Sequence, residues 1–138
     1  MTTTTYSPSH PIVFICDFAN QSMEVPEYDP ESVVSANRSC VSIRTIADVD
    51  GNVTVTLTSA LPAGAREDGL EVFQGRIDSP SGRVAVVTSE NEKLLELEVA
   101  NQKANIRVVV DEEPSPSRIW VEAQPATPAA APGESERR

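Results

Sequence analysis

Asp48-Val49-Asp50-Gly51-Asn52 invites comparison with a calcium-binding loop. A calcium loop needs oxygen donors at positions one, three, five and twelve, and a glycine at six for the sharp turn. Counted from Asp48, position six is Val53 and position twelve is Ser59, so the turn and the bidentate carboxylate are both missing. A turn between two strands fits the segment better. Nucleophilic catalysis needs a nucleophile beside an oriented base. The single histidine, His10, lies in Ser-Pro-Ser-His-Pro, where nothing orients it, and no Gly-x-Ser-x-Gly or Ser-x-x-Lys motif occurs. The acids are spread along the chain and select no acid–base pair. The chain therefore reads as a non-enzyme with no catalytic residue, no metal and no cofactor.

Cys16 and Cys40 have no Cys-x-x-Cys spacing, and with one unanchored histidine they do not make a tetrahedral zinc set. They read as thiols buried as small apolar groups, with a bridge between neighbouring strands as the open alternative. The first ten residues hold no Lys or Arg, and the apolar run 12–16 is too short for an export signal or a membrane span. A cytoplasmic address is the expectation. On that basis the Asn-x-Ser/Thr tripeptides at Asn20, Asn37 and Asn52 are coincidental.

Charge says more about partners. Eleven Lys and Arg face 21 Asp and Glu, a net charge of -10, with a pI near 4.5. Such a surface repels phosphate backbones and anionic lipid, so neither nucleic acid nor membrane is expected. It attracts a basic protein, at a rate that falls with salt. The acids gather in two connections: Glu24, Glu27, Asp29 and Glu31, with Tyr28 among them, and Asp111-Glu112-Glu113. Both can offer carboxylates to the Lys and Arg of a partner, although loop charge is often merely solvated. Trp120, the only tryptophan, alternates with Ile119 and Val121 and so faces away from the side they cover. It is either an interface anchor or a semi-buried sandwich tryptophan. Together these nine residues are the expected partner-binding set.

The elements that must hold these residues follow period two. Val53, Val55 and Leu57 point one way and Thr54, Thr56 and Thr58 the other, which predicts a strand with one buried and one wet face. The same grammar predicts strands at 12–18, 40–46, 53–59, 70–78, 83–89, 93–100, 105–110 and 118–124. Glu92 to Val99 holds good helix formers, but its Leu/Glu alternation favours a strand. Asp50-Gly51, Ser79-Pro80-Ser81-Gly82 and Asn101-Gln102-Lys103 predict three hairpins. Gly75 predicts a bulge or a close backbone approach. Residues 19–38 form a long aperiodic loop and 65–69 a charged one. The expected organisation is a disordered arm over 1–11, one domain over 12–124 and a disordered Ala/Pro-rich charged tail over 125–138. The expected fold is all-β: an antiparallel sandwich or small barrel of seven to eight strands.

Leu70-Glu71-Val72-Phe73-Gln74-Gly75-Arg76-Ile77, then Ser79-Pro80-Ser81-Gly82, Ile106-Arg107-Val108-Val109-Val110 and Arg118-Ile119-Trp120-Val121 follow a familiar order. In strand order and turn placement this stretch resembles the small bacterial β-sandwich proteins typified by competence protein J. The resemblance implies an immunity-type inhibitor that caps a basic, nucleic-acid-handling enzyme. The alternative is a non-catalytic assembly module that packs through a sheet face or edge.

Overall fold

The computed structural model describes residues 1–126 other than Tyr28 and Pro30. Its strands are β1 (Thr2–Tyr6), β2 (Ile12–Cys16), β3 (Val34–Ala36), β4 (Cys40–Arg44), β5 (Val53–Thr58), β6 (Leu70–Asp78), β7 (Arg83–Thr88), β8 (Lys93–Glu98), β9 (Lys103–Val110) and β10 (Arg118–Pro125). They form two five-stranded sheets, ordered β1-β5-β10-β9-β6 and β3-β4-β2-β7-β8, and neither closes into a barrel. Every pairing is antiparallel except β5 with β10. The all-β expectation holds, with ten strands among the described residues in place of seven to eight.

The valines and isoleucines that alternate along the strands meet between the sheets. Val13, Ile15, Val41, Ile43, Val84 and Val86 of one sheet share a core with Val53, Val55, Leu57, Ile106, Val108, Val110, Ile119 and Val121 of the other. All of these side chains are 1% exposed or less. At roughly 2 kcal/mol of transfer free energy for each buried aliphatic chain, this layer dominates the fold's stability. β-Branched residues supply most of it, because they fit a pleated, half-buried surface.

None of the three expected hairpins forms. β4 and β5, β6 and β7, and β8 and β9 lie in different sheets, so each turn carries the chain over the rim from one layer to the other. A turn sequence specifies that the chain reverses. It does not say whether the returning strand pairs in-plane or faces its predecessor across the core, and both arrangements bury the same alternate residues. The Asp50-Gly51 turn is a short 3-10 segment over Asp48–Asp50 closed by Gly51 at φ +132°, a conformation that favours glycine.

Several boundaries shift for identifiable reasons. The supposed arm holds β1, a threonine ladder on β5 in which Thr3 and Thr5 meet Thr56 and Thr54 at 2.9 and 3.0 Å. A run of threonines has no hydrophobic period but fits an edge strand. With β1 on one side and Trp120 beside it on the other, Thr56 is buried, as is Thr58, whose hydroxyl bonds Ala60. The expected wet face is therefore half covered. β2 ends at Cys16 and leaves Phe18 exposed. The charged loop at 65–69 overlaps a short helix α1 (Ala63–Asp68), six residues long and too short for a 3.6 period to register. β6 is bulged at Val72, between Glu71 and Phe73, not at Gly75. Nor does another backbone approach Gly75 closely: a Cβ there would meet only the ring of Phe73, 2.7 Å from its Cζ. Of the expected tail, Pro125 ends β10 and the Ala126 amide donates to the Lys103 carbonyl at 2.9 Å. Residues 127–138 lie outside the described residues.

Candidate functional site

The 17–39 connection between β2 and β4 is held by hydrogen-bonded polar groups at its roots. Asp17, fully buried, accepts hydrogen bonds from the Ser81 amide and hydroxyl, both at 2.7 Å, and from the Ala19 amide at 3.1 Å. At the other root, Asn37 Oδ1 accepts from the Ser39 and Cys40 amides at 2.8 and 2.9 Å, and its Nδ2 donates to the Glu24 carbonyl at 2.9 Å. The connection is not aperiodic throughout: Val34–Ala36 forms β3, paired with β4.

β3 and β6 are edge strands of opposite sheets, and an open groove of about 520 Å³ runs between them. Ser32, Val33, Val34 and Ala36 line it from one side and Glu71, Val72 and Phe73 from the other, with Glu113 also in the lining. Val33, Val34, Val72 and Phe73 are partly buried against the core. The bulge at Val72 interrupts the β6 ladder where the strand borders the groove. Glu71 pairs with Arg107 at 3.3 Å, whereas Glu113 is exposed. The first acidic connection thus ends on this groove through Ser32–Val34, and the second supplies Glu113.

The expected site residues divide. Glu27, Asp29 and Glu31 are exposed on the approach to β3, and Asp29 Oδ1 accepts the Glu31 amide at 3.0 Å. Glu24 lines a separate polar cavity of about 920 Å³ with Arg38, Asp78 and Lys103, in which Asp78 meets Lys103 at 2.7 Å and Arg38 at 4.0 Å. Asp111 has a structural task, closing the β9–β10 connection by accepting the Ser117 hydroxyl at 2.9 Å and the Ser117 and Arg118 amides at 3.2 Å. Glu112 is exposed, and Tyr28 lies outside the described residues. Trp120 sits away from the groove, on the outer face of the first sheet, with the Arg118 guanidinium 4.9 Å from its ring centroid. Val33, Val34, Val72 and Phe73 were absent from the expected set. An apolar pair inside an acidic loop was the available signal for Val33-Val34, whereas Val72 and Phe73 read as ordinary strand residues.

Among the described residues no three His, Cys, Asp or Glu side chains gather as a metal site, and no helix is long and apolar enough to cross a membrane.

No protein-family model and no curated protein matches the sequence. Solved structures do share the fold. ComJ from Bacillus subtilis, an inhibitor of the DNA-degrading activity of NucA, matches with a TM-score of 0.63 over 91% of this chain and 96% of that one, at 7% identity. The protein of crocagin biosynthetic gene J matches with a TM-score of 0.54 over 92% and 100%, at 12% identity. The resemblance read from residues 70–124 extends, as a likeness of fold, over most of the chain.

Proposed function

We propose that this chain is an acidic, non-catalytic binding domain that inhibits a basic nuclease or toxin by capping it along the β3–β6 groove. The observation that carries the reading is that both acidic connections reach one groove, the first through Ser32–Val34 and the second through Glu113, where Val33, Val34, Val72 and Phe73 also line it. The likeness of fold to a nuclease inhibitor supports it. Glu27, Asp29, Glu31, Glu112 and Glu113 steer the approach of a basic surface, and Val33, Val34, Val72 and Phe73 supply the area whose desolvation sets residence time. Carboxylates held against Lys and Arg on a nuclease occupy positions that DNA phosphates would take, so binding and inhibition coincide.

The test is DNA degradation by basic, sequence-independent nucleases titrated with this chain at low and high salt. Stoichiometric inhibition that weakens with salt is expected. Unimpaired degradation at low salt, with no complex detected by native mass spectrometry, overturns the reading. A second reading, an assembly module packing through a sheet face, rests on half-buried Trp120 beneath Arg118. It requires a salt-insensitive complex that is lost in Trp120→Ala.

A further inference from the structure

Cys16 is the last residue of β2 and Cys40 the first of β4, and the two are direct partners in the antiparallel ladder. They are therefore the two roots of the 17–39 connection, the segment that delivers Val33, Val34 and Ala36 to the groove. Both are free thiols and fully buried. They form a satellite cluster with Ala85 and Val87, against which Phe14 and Met23 pack. Met23 belongs to the same connection.

The thiols touch. The Cys40 S–H hydrogen bonds to the Cys16 sulfur, which draws the Cys16 thiol below its ordinary range against the effects of burial and nearby Asp17. The same bond, with burial, raises Cys40. Directly opposed antiparallel residues hold their Cα atoms about 4.5–5.5 Å apart. Disulfides span Cα separations of about 4.4–6.8 Å. No strand has to slide for these sulfurs to bond.

We infer that Cys16 and Cys40 form a reversible cross-strand disulfide that staples the root of the acidic connection and orders the β3 side of the groove. The chemistry needs a small disulfide oxidant, for which oxidised glutathione serves as the probe. When the connection lifts Met23, the Cys16 thiolate attacks one sulfur of the oxidant and expels one glutathione thiolate, leaving a mixed disulfide. Cys40 then loses its proton, attacks the Cys16 sulfur and expels the second glutathione. Two protein thiols are oxidised, one glutathione disulfide is reduced to two thiols, and the two S–H protons pass to the departing thiolates. The regulatory clause rests on the groove being the partner site; the bridge itself does not.

The experiment uses the full chain in glutathione buffers of graded ratio, quenched in acid and read by intact mass and non-reduced peptide mapping. A monomer lighter by two hydrogen atoms is expected, with the Cys16 and Cys40 peptides joined and the bond cleaved by dithiothreitol. Cys16→Ser and Cys40→Ser should stay monomeric without this bridge. In the oxidised form, amide exchange over residues 31–36 should slow by roughly tenfold, as chain entropy is withdrawn from local opening. Free or glutathionylated thiols at every ratio, on a chain shown native by circular dichroism, overturn the bridge. A bridge that leaves exchange over 31–36 unchanged overturns its effect on the groove. If the bridge forms and slows exchange but neither redox form binds a basic nuclease, the proposed function fails and the disulfide stands.

Discussion

Asp17 and Ser81 are 64 residues apart in sequence, yet the Asp17 carboxylate accepts both the Ser81 amide and the Ser81 hydroxyl at 2.7 Å. The first residue after β2 thus grips the turn by which the chain crosses from β6 to β7 between sheets. A carboxylate with no exposure that satisfies three donors is a strong local tie, and an asymmetric one. Hydrogen bonds to a charged group contribute about 1.5–3 kcal/mol, and a buried donor left without a partner costs about 1–3 kcal/mol.

Asp17→Ala should therefore lower stability by about 3 kcal/mol, and Ser81→Ala by about half as much, because the Ser81 amide keeps its acceptor. Urea unfolding curves measure both. An unchanged midpoint for Asp17→Ala would show that the tie contributes nothing net.

That tie illustrates what was legible beforehand. Strand positions and buried faces followed from alternation such as Val53-Thr54-Val55-Thr56-Leu57, because a period of two is set by the backbone itself. The partners of those strands did not follow. Ser79-Pro80-Ser81-Gly82 announces a reversal, but its tie to Asp17, far away in sequence, is seen only once the crossing to the second sheet is known. The groove was half legible. Its carboxylates stood out as charge in connections, while Val72 and Phe73 look like any core residues until β3 and β6 are seen as facing edges. The 1–11 segment failed for a simpler reason: Thr2 to Thr5 carries no hydrophobic contrast, and its cross-strand hydroxyl pairs exist only once β5 is in place.

Tyr6 sets up a pH dependence. Its hydroxyl is buried without a hydrogen-bond partner, and burial pushes its pKa up to about 12. The unfolded chain releases this proton near pH 10. Between those values the folded state binds more protons, so stability falls as pH rises. The contribution is fully present below about pH 10 and is lost through about pH 12. Tyr6→Phe should remove this alkaline loss and, by deleting an unsatisfied hydroxyl, leave stability at pH 7 unchanged or slightly higher. Thermal unfolding across the alkaline range checks it; parallel curves for the two proteins would show Tyr6 titrating normally.

Two glycines separate close approach to main chain from close approach to a movable ring. A Cβ on Gly69 would lie 2.7 Å from the Ala65 carbonyl oxygen and collide with Val109, whereas on Gly75 it meets only the ring of Phe73. Gly69→Ala should cost about 2–3 kcal/mol through backbone displacement at the end of α1. Gly75→Ala should cost about 1 kcal/mol while turning Phe73 out of its place in the groove. Equal losses in urea unfolding would contradict the distinction.

The groove predicts a division of labour between charge and apolar surface. Amide replacement of Glu27, Asp29, Glu31 and Glu113 removes four exposed carboxylates. The thermal midpoint should barely move, since exposed charges contribute little to stability. Association with a basic nuclease should slow by about tenfold at low salt while dissociation changes little, and raised salt should produce the same slowing in the unsubstituted chain. Phe73→Ala should act in the opposite manner. A partly buried aromatic lining the groove contributes to residence, so dissociation should quicken and the association rate should hold. Stopped-flow or surface-based kinetics separate the two rates. If the amide set leaves association unchanged at low salt and Trp120→Ala abolishes the complex, the partner docks on the outer face of the first sheet and the groove is not the site.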